Sequence, residues 1–203
     1  MSQKKGTALV VGAGIFGVTS ARELQSRGWE VTLVDPGPVP HPLAASTDIS
    51  KIVRLAYGSD ETYTELMEEA LETWREWNRH WPEPLFHETG VLMLTRSPMA
   101  PGSFEYESFR VLETRRHRPL RLTPADLRKR FPGWKAGSYV DGFYQSEGGY
   151  AESGRVVARL AELARVEGVT VRPEISMAGF VEEGGRVTGI HTSMGALEAN
   201  TAR

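Results

Sequence analysis

The chain opens with an apolar, β-branched run, Thr7-Ala-Leu-Val-Val11, that stops at Gly12-x-Gly14-x-x-Gly17 and gives way to a different period. A continuous apolar run of this length reads as a buried strand. After it, Ala21 and Leu24 fall on one side and Arg22, Glu23 and Gln25 on the other, which predicts a helix with Gly28 as its stop. A second apolar strand, Glu30-Val-Thr-Leu-Val34, ends in Asp35. Strand, glycine turn, helix, strand and terminal acid, in that order, predict a βαβ unit with parallel strands.

Pro36 to Ala45 is rich in proline and small residues and reads as a loop. Ser46 to Gly58 has the apolar content to be partly buried and carries Lys51 and Arg54 three residues apart; on a helical turn both side chains would leave one face. That face has two readings, a solvated basic surface or a cationic lining for a cofactor or an anionic substrate. From Asp60 to His80 the pattern is strongly helical, with Tyr63, Leu66, Met67, Ala70, Leu71, Trp74, Trp77 and Trp81 at three- and four-residue intervals. This aromatic stripe is expected to pack in the core, with Ser59 or Asp60 as cap and Pro82 near the end.

Downstream, His87 to Thr95 predicts a strand, Ser97 to Ser103 a link, and Glu105 to Arg116 a helix. Thr123-Pro124 opens a short helix that Phe131-Pro-Gly-Trp134 breaks, and Tyr139 to Gln145 reads as a further strand. The basic cluster Arg115, Arg116, Arg118 and Arg121 reads as a solvated face, because no aromatics interleave with it. Ser153 is expected to cap a helix that turns Val156, Val157, Leu160, Leu163 and Ala164 inward and stops at Gly168. Val169 to Arg172 then predicts a third parallel strand. Met177 to Val181, Arg186 to Thr192 and Ala196 to Ala199 predict a small meander.

Composition narrows the function. The 203 residues carry a formal net charge of -2, so no basic field points to nucleic acid or to an anionic membrane. Nothing near the start is long and apolar enough for a signal or a membrane span, which suggests a cytoplasmic protein. With no cysteine there is no disulfide, thiolate metal site or cysteine-linked cofactor. His41, His80, His87, His117 and His191 are scattered and read as surface or loop residues, with no metal expected.

The glycine turn carries the chemistry. Gly12 permits the turn, Gly14 lets a pyrophosphate approach the backbone, and Gly17 lets the helix pack closely on the strand. The helix N-terminus, with Ile15 and Phe16 in its first turn, offers unpaired N–H groups and the positive end of its dipole to phosphates. Asp35 stands where an acid accepts hydrogen bonds from an adenosine ribose, and its charge would repel the 2′-phosphate of NADP.

Several stretches together resemble the first half of the D-amino-acid-oxidase-type flavoproteins, closest to sarcosine oxidases and fructosamine oxidases (amadoriases). They are Val10 to Gly17, Thr32-Leu-Val-Asp35, Asp48-Ile-Ser-Lys-Ile-Val-Arg54 with Ala56-Tyr57-Gly58, His87-x-Thr89-Gly-Val-Leu92, Phe131-Pro-Gly-Trp134 and Gly148-Gly-Tyr. The resemblance covers nearly the whole chain and implies an α/β fold with an α+β insertion. A Rossmann-type FAD-binding βαβ with a β-meander would stand beside part of a mixed-sheet substrate domain. FAD-binding residues 1–58 and 148–203 would flank a partial substrate domain, 59–147. The resemblance further implies that about as much chain again is missing, including the cysteine that links flavin covalently in those enzymes. The present chain would then be a truncated version whose glycine-turn strand has one unpaired side.

Site roles follow from the same resemblance. Lys51 matches a lysine that fructosamine oxidases place beside the flavin ring, where positive charge favours oxygen reduction. Arg54 matches an arginine that sarcosine oxidases use on the substrate carboxylate, and Tyr57 a nearby pocket tyrosine. The cofactor set is Gly12, Gly14, Ile15, Phe16, Gly17, Asp35, Pro36, Ser46, Lys51 and Met177, the last through backbone beside the adenine. The implied reaction is FAD-dependent oxidation of the C–N bond of a secondary amine or N-substituted amino acid, sarcosine-like or fructosyl, with O2 reduced to H2O2. Two alternatives stay open on the residues alone, an NAD-dependent dehydrogenase and a non-catalytic nucleotide-binding fragment.

Overall fold

The computed structural model of the chain describes residues 5–133, 135 and 137–200. Trp134 of the expected helix-breaking turn lies outside them, as do Thr201 to Arg203. In chain order the elements are β1 (Gly6–Val11), α1 (Ile15–Ser26), β2 (Trp29–Val34), β3 (Lys51–Val53), α2 (Glu61–His80), β4 (Phe86–His87), β5 (Val91–Thr95), α3 (Phe104–Thr114), β6 (Leu120–Arg121), α4 (Pro124–Arg130), β7 (Asp141–Gln145), β8 (Gly149–Ala151), α5 (Ser153–Val166), β9 (Thr170–Arg172), β10 (Met177–Glu183), β11 (Arg186–Thr192) and β12 (Gly195–Glu198). They form two compact units. One runs to Lys51 and resumes at Glu152, and the other is Ile52–Ala151. The breaks expected after Gly58 and after Glu147 thus fall after Lys51 and Ala151, which moves Arg54 and Tyr57 into the inserted unit.

The first unit is built on a parallel sheet in the order β1-β2-β9, in which Val10 is opposite Leu33 and Val11 opposite Val34. Side chains alternate along a strand, so the sheet has two apolar faces to bury. Leu9 and Val34 take one face, where they pack with Ile175, Met177, Ile190 and Leu197 of the antiparallel β10-β11-β12 meander and its approach. Val31 and Leu33 take the other and are fully buried, along with Val18 and Ala21 of α1 and Val156, Val157, Leu160 and Ala164 of α5. The other edge of β1 meets Asn200, whose carbonyl accepts from the Thr7 N–H at 2.7 Å.

Ser153 is not the cap of α5. Glu152 occupies the cap position without a side-chain bond. The Ser153 hydroxyl instead donates to the Asp48 carbonyl at 2.8 Å, and the Gly154 N–H donates to the same oxygen at 3.1 Å. An otherwise orphaned helix N-terminus thereby anchors the loop that precedes Lys51.

In the second unit two mixed-length sheets, β3-β8-β4 and β5-β7-β6, stand with α2, α3 and α4. The expected strand His87 to Thr95 is split, since the Thr89-Gly90 turn separates β4 from β5. Ser46 to Gly58 contains no helical turn: Lys51–Val53 is a strand, whose two-residue alternation does not bring Lys51 and Arg54 to one face. Asp60 caps α2 by accepting the Tyr63 N–H at 3.2 Å. The α2 stripe is only partly core: Leu71 is buried and Trp74, Trp77 and Trp81 pack ring against ring, but Tyr63 and Leu66 are 57% and 54% exposed. At α4 the Thr123 hydroxyl and the Asp126 carboxylate form the reciprocal capping box, and Pro124 takes the first turn.

The basic cluster is not simply a solvated face. Arg115 forks onto Glu68 at 2.7 and 2.5 Å, and Arg121 onto Asp141 at 3.1 and 2.5 Å. His117, expected on the surface, is largely buried, with Nε2 2.7 Å from Glu68 and Nδ1 2.6 Å from Glu147. The Arg115 fork, helped by His117 and opposed by burial, holds the Glu68 carboxyl down to about 2. A carboxyl whose pKa falls on folding stabilises the fold fully above its ordinary value and loses that contribution as pH drops through the folded value.

Stability should therefore decline on acidification from pH 4.5 toward pH 2. Glu68→Gln should remove this part of the pH dependence and lower Tm at neutral pH by roughly 2–6 °C. Thermal melts across that range check it, and parallel curves for the two proteins would contradict it.

Candidate functional site

The end of β1 is held by backbone before any ligand is considered. The Gly12 N–H donates to the Val34 carbonyl at 2.8 Å, tying the turn to the end of β2. The Asp35 carboxylate, 5% exposed, accepts the Ala13 N–H at 2.7 Å on one oxygen and the Gly37 N–H at 3.0 Å on the other. One acid thus fixes two turns at once. Gly17 has no alternative residue: an added Cβ would lie 1.7 Å from the Gly12 carbonyl oxygen. The helix can begin this close to the strand end only without a side chain there.

An open cavity of about 520 Å³ lies over this turn. Val11, Gly12, Gly14, Ile15, Phe16 and Gly17 line it from the turn, and Ala44, Ala45, Ser46 and Lys51 from the loop after β2. The Ser46 hydroxyl accepts the Ile15 N–H at 3.2 Å, so the loop closes on the start of α1. The next N–H groups, of Phe16 and Gly17, have no acceptor within the helix. Phe16 is 86% exposed at the rim. The Lys51 ammonium pairs with Asp48, whose own carbonyl is the one gripped by α5.

Eight of the expected residues, Gly12, Gly14, Ile15, Phe16, Gly17, Ser46, Lys51 and Asp35, therefore belong to this turn, its cavity or its support. Pro36 follows Asp35 as an exposed residue and does not line the cavity. Met177 opens β10 opposite Thr192, and its side chain packs into the meander cluster. Arg54 and Tyr57 belong to the second unit, where the Arg54 guanidinium lies over the Tyr57 ring, 5.4 Å from its centroid. The tie from Ser153 to Asp48 and the place of Phe104 beside Arg54 carry no local motif. The partners are distant in sequence, 105 residues for Asp48 and Ser153.

Among the described residues no cluster of three or more His, Asp and Glu could hold a metal, and no helix is long and apolar enough to cross a membrane.

A protein-family profile described as "FAD dependent oxidoreductase" matches residues 7–202. The chain belongs to that family. FAD is accordingly the cofactor of the enzymes it is grouped with. Among relatives, it is 26% identical to monomeric sarcosine oxidase of Bacillus sp. (strain B-0618) over 172 residues, 85% of this chain and 44% of that protein. It is likewise 26% identical to N-methyl-L-tryptophan oxidase of Salmonella dublin over 194 residues, 96% of this chain and 51% of the other. The fold is similar to that of a modified fructosyl peptide oxidase from Aspergillus nidulans, with a TM-score of 0.83 at 18% identity over 98% of this chain and 49% of that one. This member of the FAD dependent oxidoreductase family thus spans about half the length of the relatives it matches.

Gly17→Ala tests the turn directly. The new methyl must displace the Gly12 carbonyl, so the variant should lose at least ~2 kcal/mol of stability, read by denaturant unfolding. Unchanged stability would show that the close approach is not required.

Proposed function

We propose that this chain carries FAD on the glycine turn of its first unit and holds a substrate carboxylate on Arg54 of its second. The enzyme would oxidise the C–N bond of a secondary amine or N-substituted amino acid, sarcosine-like or fructosyl, with dioxygen as electron acceptor. The single observation that carries the reading is the cavity over Gly12 to Gly17, bounded by backbone N–H groups, a hydroxyl and one ammonium.

The residues fit the cofactor. An added Cβ at Gly14 would meet nothing except the Ser46 hydroxyl, at 3.1 Å, so a diphosphate can approach the backbone there. First-turn N–H groups and the helix dipole suit its charge. Asp35 keeps lone pairs beyond the two it gives to backbone, and these suit ribose hydroxyls in a Rossmann-type βαβ. Pro36, next in the chain, and the Met177 backbone would complete the adenosine side. When bound, FAD would supply the redox chemistry, that of a hydride acceptor that dioxygen can reoxidise with release of H2O2.

What remains is the work of this chain's own side chains. Lys51 supplies positive charge beside the cavity, which stabilises negative charge developing during oxygen reduction. Asp48 pairs with that ammonium. Arg54 offers a planar donor fork to a carboxylate, with Tyr57 beside it. The substrate is thereby oriented by its acid end, leaving the amine nitrogen and its carbon for the chemistry.

Purified chain mixed with FAD and desalted should retain a perturbed flavin spectrum, and a colourless product would overturn the assignment of the seat. In the active enzyme, Lys51→Met should slow flavin reoxidation by oxygen at least tenfold, about 1.4 kcal/mol, followed by stopped-flow absorbance. An unaltered rate would remove Lys51 from that role.

A further inference from the structure

We infer that Phe104 is a positioning residue for Arg54: it shares the guanidinium with Tyr57 and keeps its donor edge open to a substrate carboxylate. The inference rests on the reading of Arg54 given above and extends it to a residue from a different helix.

The guanidinium carbon of Arg54 lies 5.4 Å from the Tyr57 ring centroid and 5.4 Å from the Phe104 ring centroid. Among the described residues it has no carboxylate and no hydrogen-bond partner. By contrast, Arg22, Arg75, Arg115 and Arg121 each fork onto an acid. Ring faces satisfy the charge without using any N–H, whereas a carboxylate would consume the fork. The two rings therefore hold the cation in place and leave its donors for an incoming acid.

The backbone around it is built to make this arrangement rigid. Val53, Leu55 and Ala56 are buried, while Arg54 and Tyr57 turn toward the surface. The Leu55 carbonyl accepts the Thr64 hydroxyl from α2 at 3.2 Å, and the Gly58 N–H donates to the Ser108 hydroxyl of α3 at 2.7 Å. Gly58 has φ +68, and an added Cβ would lie 3.1 Å from the Phe104 ring. Phe104 thus enters at the start of α3, one helical turn before Ser108, and touches both the turn at Gly58 and the cation. Tyr57 is in turn stacked on Tyr63 of α2 at 5.5 Å and 26°. Both helices reach the loop by one hydrogen bond and one ring, so Arg54 has little freedom to reorient when a substrate arrives or leaves.

The test follows the side-chain Nε–H resonance of Arg54 by NMR in the full chain, assigned with Arg54→Lys. In the unsubstituted chain this signal should be shifted by the two rings. It should move further on titration with N-methylglycine but not with dimethylamine, which lacks the carboxylate. Phe104→Leu should weaken the apparent affinity for N-methylglycine about three- to tenfold and relax the ring shift, with Phe104→Tyr restoring both. Phe104 is 43% exposed, so neither variant should disturb the fold, and an unchanged far-UV spectrum with the Tyr57–Tyr63 resonances in place verifies this. An unchanged affinity in Phe104→Leu, with the unsubstituted signal still responding to N-methylglycine, would overturn the positioning role and leave Arg54 as the fork. A signal that ignores N-methylglycine in the unsubstituted chain would overturn the carboxylate reading itself, and the inference with it.

Discussion

The buried carboxylate of Asp35 is the constraint on which the first unit depends. A carboxylate removed from water must be met by donors, and here both oxygens are met by backbone N–H groups, of Ala13 and Gly37. Those two groups lie in the turn after β1 and the turn after β2, so the acid sets the mutual position of the two strand ends. Gly17 completes the arrangement by letting α1 start against the Gly12 carbonyl. The cavity above the turn is therefore a consequence of backbone geometry, with few side chains required to shape it.

The second unit is held differently. Its apolar stripe is incomplete, and a good part of its order comes from polar side chains reaching across elements. Glu68 receives Arg115 and the His117 ring, whose other nitrogen faces Glu147; Asp141 receives Arg121 together with the Met99 and Gly142 N–H groups. Partly buried networks of this kind fix geometry more than they add net stability. The loop from Val53 to Gly58, with Arg54 beside two rings, belongs to the same unit.

The first unit was legible because its signals are local. Strand, glycine spacing, helix and terminal acid all fall within Thr7 to Asp35, and each has its own period or backbone requirement. The meander was legible for the same reason, through its glycine turns. In the segment from Ser46 to Gly58 the three-residue spacing of Lys51 and Arg54 would place both on one face only of a helical turn, whereas the Lys51–Val53 strand is set by pairing in the β3-β8-β4 sheet. A serine before an apolar helix fits the pattern of a cap, yet the Ser153 hydroxyl finds a carbonyl 105 residues earlier. Arg115, Arg121 and His117 read as surface because their partners lie 47, 20 and 49 residues away. Phe104 was invisible for a like reason: the loop it supports is joined to its helix by a bond spanning 50 residues.

The two units place different demands on the sequence. The turn after β1 is set by backbone contacts that require only a few glycines and one acid. The seat of Arg54 depends instead on the rings of Tyr57 and Phe104. Replacing Phe104 or Tyr57, or adding an acid within reach of Arg54, would change how the fork is offered while leaving the glycine turn untouched. On the proposed reading, cofactor binding and substrate choice would be separable in this chain: the first would rest on main-chain contacts at the ends of β1 and β2, the second on side chains that α2 and α3 bring to a short loop. On that reading, substitutions that retune the substrate would collect in the inserted unit, where they leave the Asp35 tie between the strand ends intact.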